Sequence, residues 1–576
     1  MSLRGNYMKR VLSVIRKYYR ILVPLIFFLI TFLWESKVFV YSYNFDFMLS
    51  IARNECISDA FELAVTYLLS KVFCLVIIFL LWKAILYIFG KNIETSDVII
   101  LGIIYGVVLF TGIVLFPETI GIEIDNYANY SMAIRFLPTY WQGIYTGILY
   151  AGCLMIIPHP ISLFVIQWTL FFLTVSFIYI NVKRIYPVGC LKYVPLLVFL
   201  LPESYYLAFN PYRNNYYTIL VLFYFSSLYF KIREKKYEKW KVWDFIIFSI
   251  ITAFIMVWRS EGVLVGACGL VLLSISFGVS KKSIRRLCIV LAATIISFIG
   301  INSVQQIGSD KYYGDDYMIL NTTPVLHSIL NNPNADFSYD TAQADLQSIE
   351  KIVPVEVIKE AGMTGFRNYN WTNGRFDFNQ TLASDENAKA YMKAYYSIIL
   401  HNLSTYFDVQ INSFYSALQI PETHKTYEFD GEYREELDSF VYDRWIIGFG
   451  ELISTGDTET WLYNPNRKIV RDFLSEVIAL WRELIINSGM NMLLHAGTII
   501  VNFILLLFEC IKMFEENNRR NTMFMIAHVF LFGEIVAIML FMPEGRAAYM
   551  YPMLYCSYFL MFVRMLEQRL SVQKSG

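Results

Sequence analysis

The sequence predicts an all-α polytopic membrane protein that carries a mainly helical domain on one side of the membrane. The chain has 576 residues, of which 56% are hydrophobic and only 17% are charged. Many segments reach the roughly 20 apolar residues that a helix needs to cross a bilayer. Because a backbone in lipid must satisfy its own hydrogen bonds, such runs form helices surrounded by membrane lipids. The net charge is zero, and Lys and Arg cluster in short loops, so nucleic acid is excluded as a partner.

About twelve transmembrane helices follow from the hydrophobic pattern. They lie near residues 21–41, 61–83, 98–117, 161–182, 191–209, 215–231, 243–258, 262–279, 287–303, 492–513, 522–542 and 547–566.

The orientation of these spans follows from the distribution of basic residues, which favour the cytoplasmic side. The N-terminal flank MSLRGNYMKRVLSVIRKYYR is basic and has no cleavage site. The basic loops 231–241, 280–286 and 516–521 and the C-terminal tail then fall on the same side as this flank. The sequence therefore predicts a multi-pass protein of a bacterial plasma membrane with both termini in the cytoplasm.

This threading requires that the apolar stretch 142–157 does not cross the membrane, because a crossing there would turn every later basic loop outward. The stretch contains three glycines, is short for a span and stops at Pro158-His159-Pro160. We interpret it as an interfacial or re-entrant helix on the outer face. The alternative is a true span with an uncounted partner elsewhere in the chain.

The chain divides into three parts by composition. An N-terminal transmembrane block covers 1–303 and includes an outer loop at 118–160, which is the candidate catalytic loop. A polar, extracytoplasmic domain covers 304–490, just before the last three spans, and a C-terminal transmembrane block covers 491–576. The polar part contains no Cys, so the sequence indicates no disulfide framework.

Two acidic residues of the outer loop are candidates for catalysis. Glu123 and Asp125 lie two residues apart, just beyond a predicted span. A carboxylate near a low-dielectric region has a raised pKa that suits proton abstraction, and an acidic neighbour raises it further. We expect Asp125 to be the base and Glu123 to tune it. The alternative, equally open for Glu123, is an ordinary acid in a solvated loop.

Three outer corners carry charges that are unusual at membrane depth. Arg213 lies in PESYYLAFNPYRNN, Arg259 and Glu261 lie in VWRSEGV, and Glu544 and Arg546 lie in FMPEGRAAYMYP. The planar fork of an Arg side chain holds phosphate well and stays charged at any depth. The corners therefore predict a common site for an anionic ligand. The alternative for each acid–Arg pair is a local ion pair that neutralises a tight turn.

Other motifs add little. His159, between two prolines at the start of a span, is a candidate substrate contact or simply the cap of a turn. The sequence contains no phosphate-binding loop, nucleophile elbow, zinc-ligand spacing or dinucleotide turn. No cofactor is therefore predicted, and no metal is predicted either, although the acidic pair is compatible with one.

These features together resemble the GT-C superfamily of polytopic membrane glycosyltransferases. The elements that carry the resemblance are an acidic motif in an early outer loop, a His-Pro opening a span, an Arg corner and an acidic-Gly-Arg last hairpin. They stand here at Glu123-Ile124-Asp125, His159-Pro160, Arg259 and Glu544-Gly545-Arg546.

The chain is more narrowly similar to an uncharacterised bacterial GT-C-like family. The polar insertion begins near Thr323-Pro324 and later carries Ser384-Asp385 before a helix. Two positions depart from the families: Ala547 stands where a Tyr is usual after the hairpin Arg, and Ser260-Glu261 stands where many members have two Asn.

The resemblance implies a transfer reaction on the outer face of the membrane. It implies a polyprenyl-phosphate-linked sugar as donor, a cell-envelope glycan or lipid as acceptor, a carboxylate base in the first large outer loop and basic residues on the lipid phosphate. A fold analogy alone does not establish this chemistry. Two alternatives stay open: a transporter or flippase of an anionic lipid-linked substrate, and a polysaccharide polymerase or ligase.

Overall fold

We describe the protein from a computed structural model. The structure describes residues 18–35, 60–88, 93–115, 126, 129–130, 133–134, 136, 143–186, 189–278, 280–312, 316–360, 385–418, 473, 477, 480, 484, 490–516, 518–542 and 547–575. Within these residues all regular structure is helical. The chain forms two compact units, which we describe separately. Unit 1 comprises 1–219, 436–484 and 566–576, and unit 2 comprises 220–435 and 485–565.

The helices of unit 1 follow the predicted spans. They are α1 (Tyr18–Thr31), α2 (Ala60–Ile88), α3 (Thr95–Leu115), α4 (Ile144–Ile156), α5 (Ile161–Ile185), a 3₁₀ helix (Gly189–Leu200), α6 (Pro202–Phe209) and the start of α7 (Arg213–Arg233).

Helices α3 and α5 pack antiparallel along their whole length. Asp97 at the start of α3 accepts hydrogen bonds from Tyr179, at 2.7 Å, and Lys183, at 2.6 Å, near the end of α5. Tyr105 bonds to Thr169 at 3.0 Å in the middle, and Gly112 faces the Phe164 ring at the other end. The end of α3 and the start of α5 therefore lie at the same end of this helix pair.

Helix α4, which lies between α3 and α5 in the chain, is buried within the protein. All 13 of its residues are buried. A Cβ atom on Gly152 would lie 3.1 Å from the backbone nitrogen of Cys74 and 3.3 Å from the Ser70 carbonyl of α2, so a larger residue here would require these backbones to move apart slightly. A helix that lies on a membrane face exposes one side. Burial on all sides is compatible with a re-entrant helix, and the placement of α4 relative to the membrane stays a prediction.

The predicted span 191–209 is not one continuous helix. A 3₁₀ helix covers Gly189–Leu200 with Pro195 inside it, and α6 begins at Pro202. Each proline lacks an N–H and disfavours helical geometry in the residue before it, which explains the break. The 3₁₀ helix packs on α5, with the Phe199 ring centroid 5.4 Å from that of Trp168.

Unit 2 contains two groups of membrane helices. The first group follows α7 and comprises α8 (Val242–Trp258), α9 (Gly262–Phe277) and α10 (Lys281–Tyr312). Between the two groups lie α11 (Asp316–Leu330), α12 (Ala342–Glu350), α13 (Val355–Glu360), α14 (Asp385–His401) and α15 (Leu403–Ala417). The second group comprises α16 (Met490–Glu515), α17 (Arg519–Phe541) and α18 (Tyr551–Ser575), with a 3₁₀ turn at Ala547–Tyr549.

The basic loops of unit 2 lie together at one end of its helices. Arg286 donates a hydrogen bond to the Glu238 carbonyl at 2.9 Å, and Tyr237 donates to the Ser276 carbonyl at 2.8 Å. The Arg519 guanidinium lies against Gly278. This grouping agrees with the threading, which places the three loops on one side of the membrane.

The polar domain lies at the opposite end of unit 2 and has its own core. Its helices α11 to α15 bury an apolar cluster that includes Leu326, Ile352, Tyr391 and Ile398. Helix α15 packs against the far end of α17, where the Tyr406 hydroxyl donates to the Leu540 carbonyl at 3.2 Å. The predicted helical domain before the last three spans is therefore present. Its first predicted boundary, 303, falls inside α10, which continues to Tyr312.

Membrane character is clear from the helices themselves. Six of the described helices are long and apolar enough to cross a bilayer: those at 63–88, 95–113, 161–185, 281–306, 493–515 and 519–541. The remaining predicted spans coincide with helices that are shorter, broken or more polar. The boundaries of the two units differ from those of the three predicted blocks. The blocks are continuous in sequence because they were inferred from hydropathy along the chain, whereas each unit contains segments that are distant in sequence.

Candidate functional site

The predicted site residues divide among the two units and the undescribed segments. Arg213 and His159 belong to unit 1, and Arg259 and Glu261 belong to unit 2. The other predicted site residues, Glu123, Asp125, Glu544 and Arg546, lie outside the described residues.

A polar corner of unit 1 joins the outer loop to the residues before Arg213. Asn126, the residue after Asp125, donates a hydrogen bond to the Asn210 side chain at 2.7 Å. Tyr150 of α4 donates to the Asn126 side chain at 3.3 Å and also bonds to the Pro211 carbonyl. The chain immediately after the predicted base is therefore held at the corner that leads into Arg213.

Buried amides build this corner from three elements. Gln167 of α5 donates to the Asn210 carbonyl at 2.8 Å and to the Leu207 carbonyl, and Asn215 donates to the same Asn210 carbonyl at 2.7 Å. These bonds satisfy carbonyls at the end of α6 that have no partner inside the helix. The corner is thus a fixed part of the fold.

Some polar atoms of the same corner have no partner among the described residues. They are both side-chain polar atoms of Asn214, the Gln167 oxygen and the Asn210 side-chain nitrogen. Asn214 is 1% exposed and Gln167 is fully buried. An unsatisfied buried polar group costs about 1–3 kcal/mol, so such groups usually meet a water molecule or a ligand. The corner can therefore bind a polar group.

Arg213 is the first residue of α7 and is half-buried. The N-terminal end of a helix carries a partial positive charge, which disfavours a cation by about 0.3–1 kcal/mol. An anion at this end would interact favourably with both the helix and the side chain. The position of Arg213 is therefore better explained by an anionic partner than by helix stability.

His159 caps the start of α5. Its Nδ1 atom accepts a hydrogen bond from the backbone N–H of Ile161 at 3.2 Å. Burial lowers the pKa of this imidazole, which favours the neutral form that this bond requires. This bond fits the turn-cap interpretation, and a substrate contact of His159 stays a prediction.

The corner of unit 2 at residues 259–261 contains the ion pair expected for a tight turn. The Arg259 Nε atom donates to one Glu261 oxygen, and the Ser260 hydroxyl donates to the other at 3.1 Å. The Arg259 guanidinium also lies 4.7 Å from the centroid of the Tyr549 ring, a cation–π contact. Tyr549 therefore brings a residue of the chain just after the last predicted hairpin to this corner, within unit 2.

Glu534 is a candidate site residue that the sequence analysis missed. It lies on α17, is 1% exposed and interacts electrostatically with both Glu261 and Arg259. One of its carboxylate oxygens has no hydrogen-bond partner among the described residues. A single acid within the apolar run FLFGEIVAIMLF is an intramembrane charge, and such residues are usually functional. This signal alone would have identified Glu534.

Other buried charges show that intramembrane ionisable groups are not confined to the outer corners. Arg564 of α18 forms a two-bond contact with Glu509 of α16 and donates to Asn521 at 3.1 Å. In unit 1, Lys71 pairs with Glu35. These four charged residues gain their partners only through tertiary packing, which the sequence pattern does not show.

Within the described part of the chain, no three His, Cys, Asp or Glu side chains are grouped so that they would hold a metal ion. The chain matches no family model, no curated protein and no solved structure.

Proposed function

We propose that the protein is a GT-C-type membrane glycosyltransferase with about twelve transmembrane helices. It transfers a sugar from a polyprenyl-phosphate donor to a cell-envelope glycan or lipid acceptor on the extracytoplasmic face of a bacterial plasma membrane. Asp125 acts as the base with Glu123 beside it in the chain, while Arg259, Arg546 and Arg213 hold anionic groups.

The contact between Arg259 and Tyr549 carries most of this proposal. It joins, within unit 2, the two chain segments that the resemblance links to the lipid phosphate. The contact lies at the end of α17 that also bears the polar domain. Glu261 bonds to the Nε atom of Arg259, and a guanidinium group carries further donors of the kind that bind phosphate. A helix that crosses the bilayer ends near the edge of the bilayer, and the phosphate of a lipid donor is expected at this depth.

The polar corner of unit 1 supports the role of the outer loop. The chain after Asp125 is bound to the corner before Arg213. An acceptor hydroxyl needs a carboxylate within hydrogen-bond reach and neutral donors and acceptors that orient it. The buried amides of this corner provide that chemistry.

The decisive experiment uses the purified full-length protein in lipid nanodiscs. We would incubate it with polyprenyl-phosphate sugars that carry a radiolabelled sugar and with glycan and lipid fractions of a cell envelope. The expected result is release of polyprenyl phosphate together with labelled acceptor. If no donor in a panel of hexoses, pentoses and amino sugars is consumed, the proposed reaction is wrong.

A matched pair of variants tests the donor site. Arg259→Lys keeps the charge but loses the two-pronged geometry, so donor affinity should decrease while the protein still elutes as a single species. Arg286→Lys makes the same exchange at the basic end of unit 2 and should bind donor normally. If both variants bind the donor with equal affinity, Arg259 does not bind the donor and serves only in the ion pair with Glu261.

The second candidate is a transporter or flippase of an anionic lipid-linked substrate. The broken segment 189–209 favours it, because transporters often use discontinuous helices near their binding sites. In proteoliposomes, a transporter would move a fluorescent polyprenyl-phosphate sugar between leaflets and leave its sugar attached. A glycosyltransferase would cleave the sugar from the lipid phosphate.

A further inference from the structure

Helix α15 of the polar domain carries an apolar stripe on its exposed side. Leu403, Phe407, Ile411 and Tyr415 follow one another at intervals of four residues, which places them on one side of a helix. Their exposed fractions are 44%, 44%, 36% and 43%. Four large apolar side chains in a row are more than scattered surface residues, and such patches mark interaction sites.

The stripe is not the face that builds the domain core. Val409 is buried on the opposite side of α15 and belongs to the core cluster of the domain. A polar strip formed by Ser404 and Asp408, both exposed, runs directly beside the apolar stripe. The exposed surface of α15 is thus itself amphipathic, which is typical of helices that lie at a membrane surface.

The position of α15 indicates what covers the stripe. Tyr406 binds the Leu540 carbonyl in the last turn of α17, which is one of the helices able to cross the bilayer. The next residue of that helix, Phe541, is 74% exposed and so continues the lipid-facing surface to this end. Tyr side chains such as that of Tyr415 are enriched at the level where spans leave the membrane.

We propose that the α15 stripe inserts into the bilayer leaflet on the side of the polar domain and anchors this domain to the membrane surface. The apolar side chains enter the headgroup boundary, and Ser404 and Asp408 remain in water. Because α15 also packs on the turn at 547–549, the anchor holds the domain beside Tyr549. This inference does not depend on the proposed reaction.

The test introduces a photoreactive benzoylphenylalanine at single positions of the full-length protein. Each nanodisc contains one copy of the protein in phosphatidylcholine and phosphatidylglycerol. After irradiation, mass spectrometry should show the mass of one phospholipid added at position 407 and at position 411. The same probe at positions 404 and 408, on the polar strip, should give at least tenfold less lipid adduct.

Four outcomes would overturn the proposal. One is a lack of lipid adduct at positions 407 and 411, and another is equal adduct at 408. The third is a crosslink from 407 to the protein's own chain, which would mean that another segment covers the stripe. A dimer-sized product that forms only in discs with two copies, with no lipid adduct in single-copy discs, would assign the stripe to a second molecule instead.

Discussion

The buried pair of Glu509 and Arg564 allows the sharpest prediction about stability. Glu509 is fully buried and Arg564 is 4% exposed, and two hydrogen bonds join them. Arg564→Met removes one charge and leaves the other in an apolar bundle without its counter-ion. Loss of one partner of a buried pair costs about 3–5 kcal/mol, whereas replacement of both partners by apolar residues is often neutral. The double variant Glu509→Met with Arg564→Met should therefore recover most of the lost stability.

The assay is unfolding by sodium dodecyl sulfate in mixed micelles, followed by tryptophan fluorescence. A control on the same helix is Lys512→Ala, which breaks an exposed pair with Glu515 and should change the free energy of unfolding by at most about 1 kcal/mol. The reasoning is refuted if Arg564→Met is as stable as the parent protein. It is also refuted if the double variant loses as much stability as the single variant, because the cost would then come from packing and not from charge.

Three further predictions concern catalysis, topology and pH. Asp125→Asn should reduce turnover by roughly 10²- to 10⁴-fold while donor binding stays intact, and Glu123→Gln should reduce turnover less. If Asp125→Asn turns over normally at saturating acceptor, the base is a different residue. A membrane-impermeant thiol reagent on intact cells should label Ser338→Cys, in the polar domain, but not Lys236→Cys, in a basic loop. Labelling of Lys236→Cys would contradict the predicted orientation of the spans. Burial lowers the pKa of His159 below its value in the unfolded chain. The contribution of His159 to stability is therefore complete above the usual imidazole pKa of about 6.5 and is lost as the pH decreases below that value. His159→Asn should weaken this loss of stability in acid, measured by thermal unfolding, and an unchanged pH profile would exclude the effect.

The sequence alone determined where the helices lie and which of them are apolar. Each predicted span overlaps a described helix, and six of these helices are long and apolar enough to cross a bilayer. Prolines at 195 and 202 could also have indicated the break in the span 191–209. The polar domain was predictable from its turn-rich stretches and its helical spacing.

Only the tertiary structure decided which residues meet. Asn126 and Asn210 are far apart in the chain, as are Arg259 and Tyr549, and no local pattern predicts their contacts. Likewise, the burial of α4 depends on the glycine contact with α2, which hydropathy cannot distinguish from a helix at the membrane surface. Hydropathy reports how each residue interacts with lipid and water, whereas the pairing of buried charges and amides depends on the path of the chain between them. The sequence therefore located the apolar helices, and the tertiary structure determined which of their polar side chains are in contact.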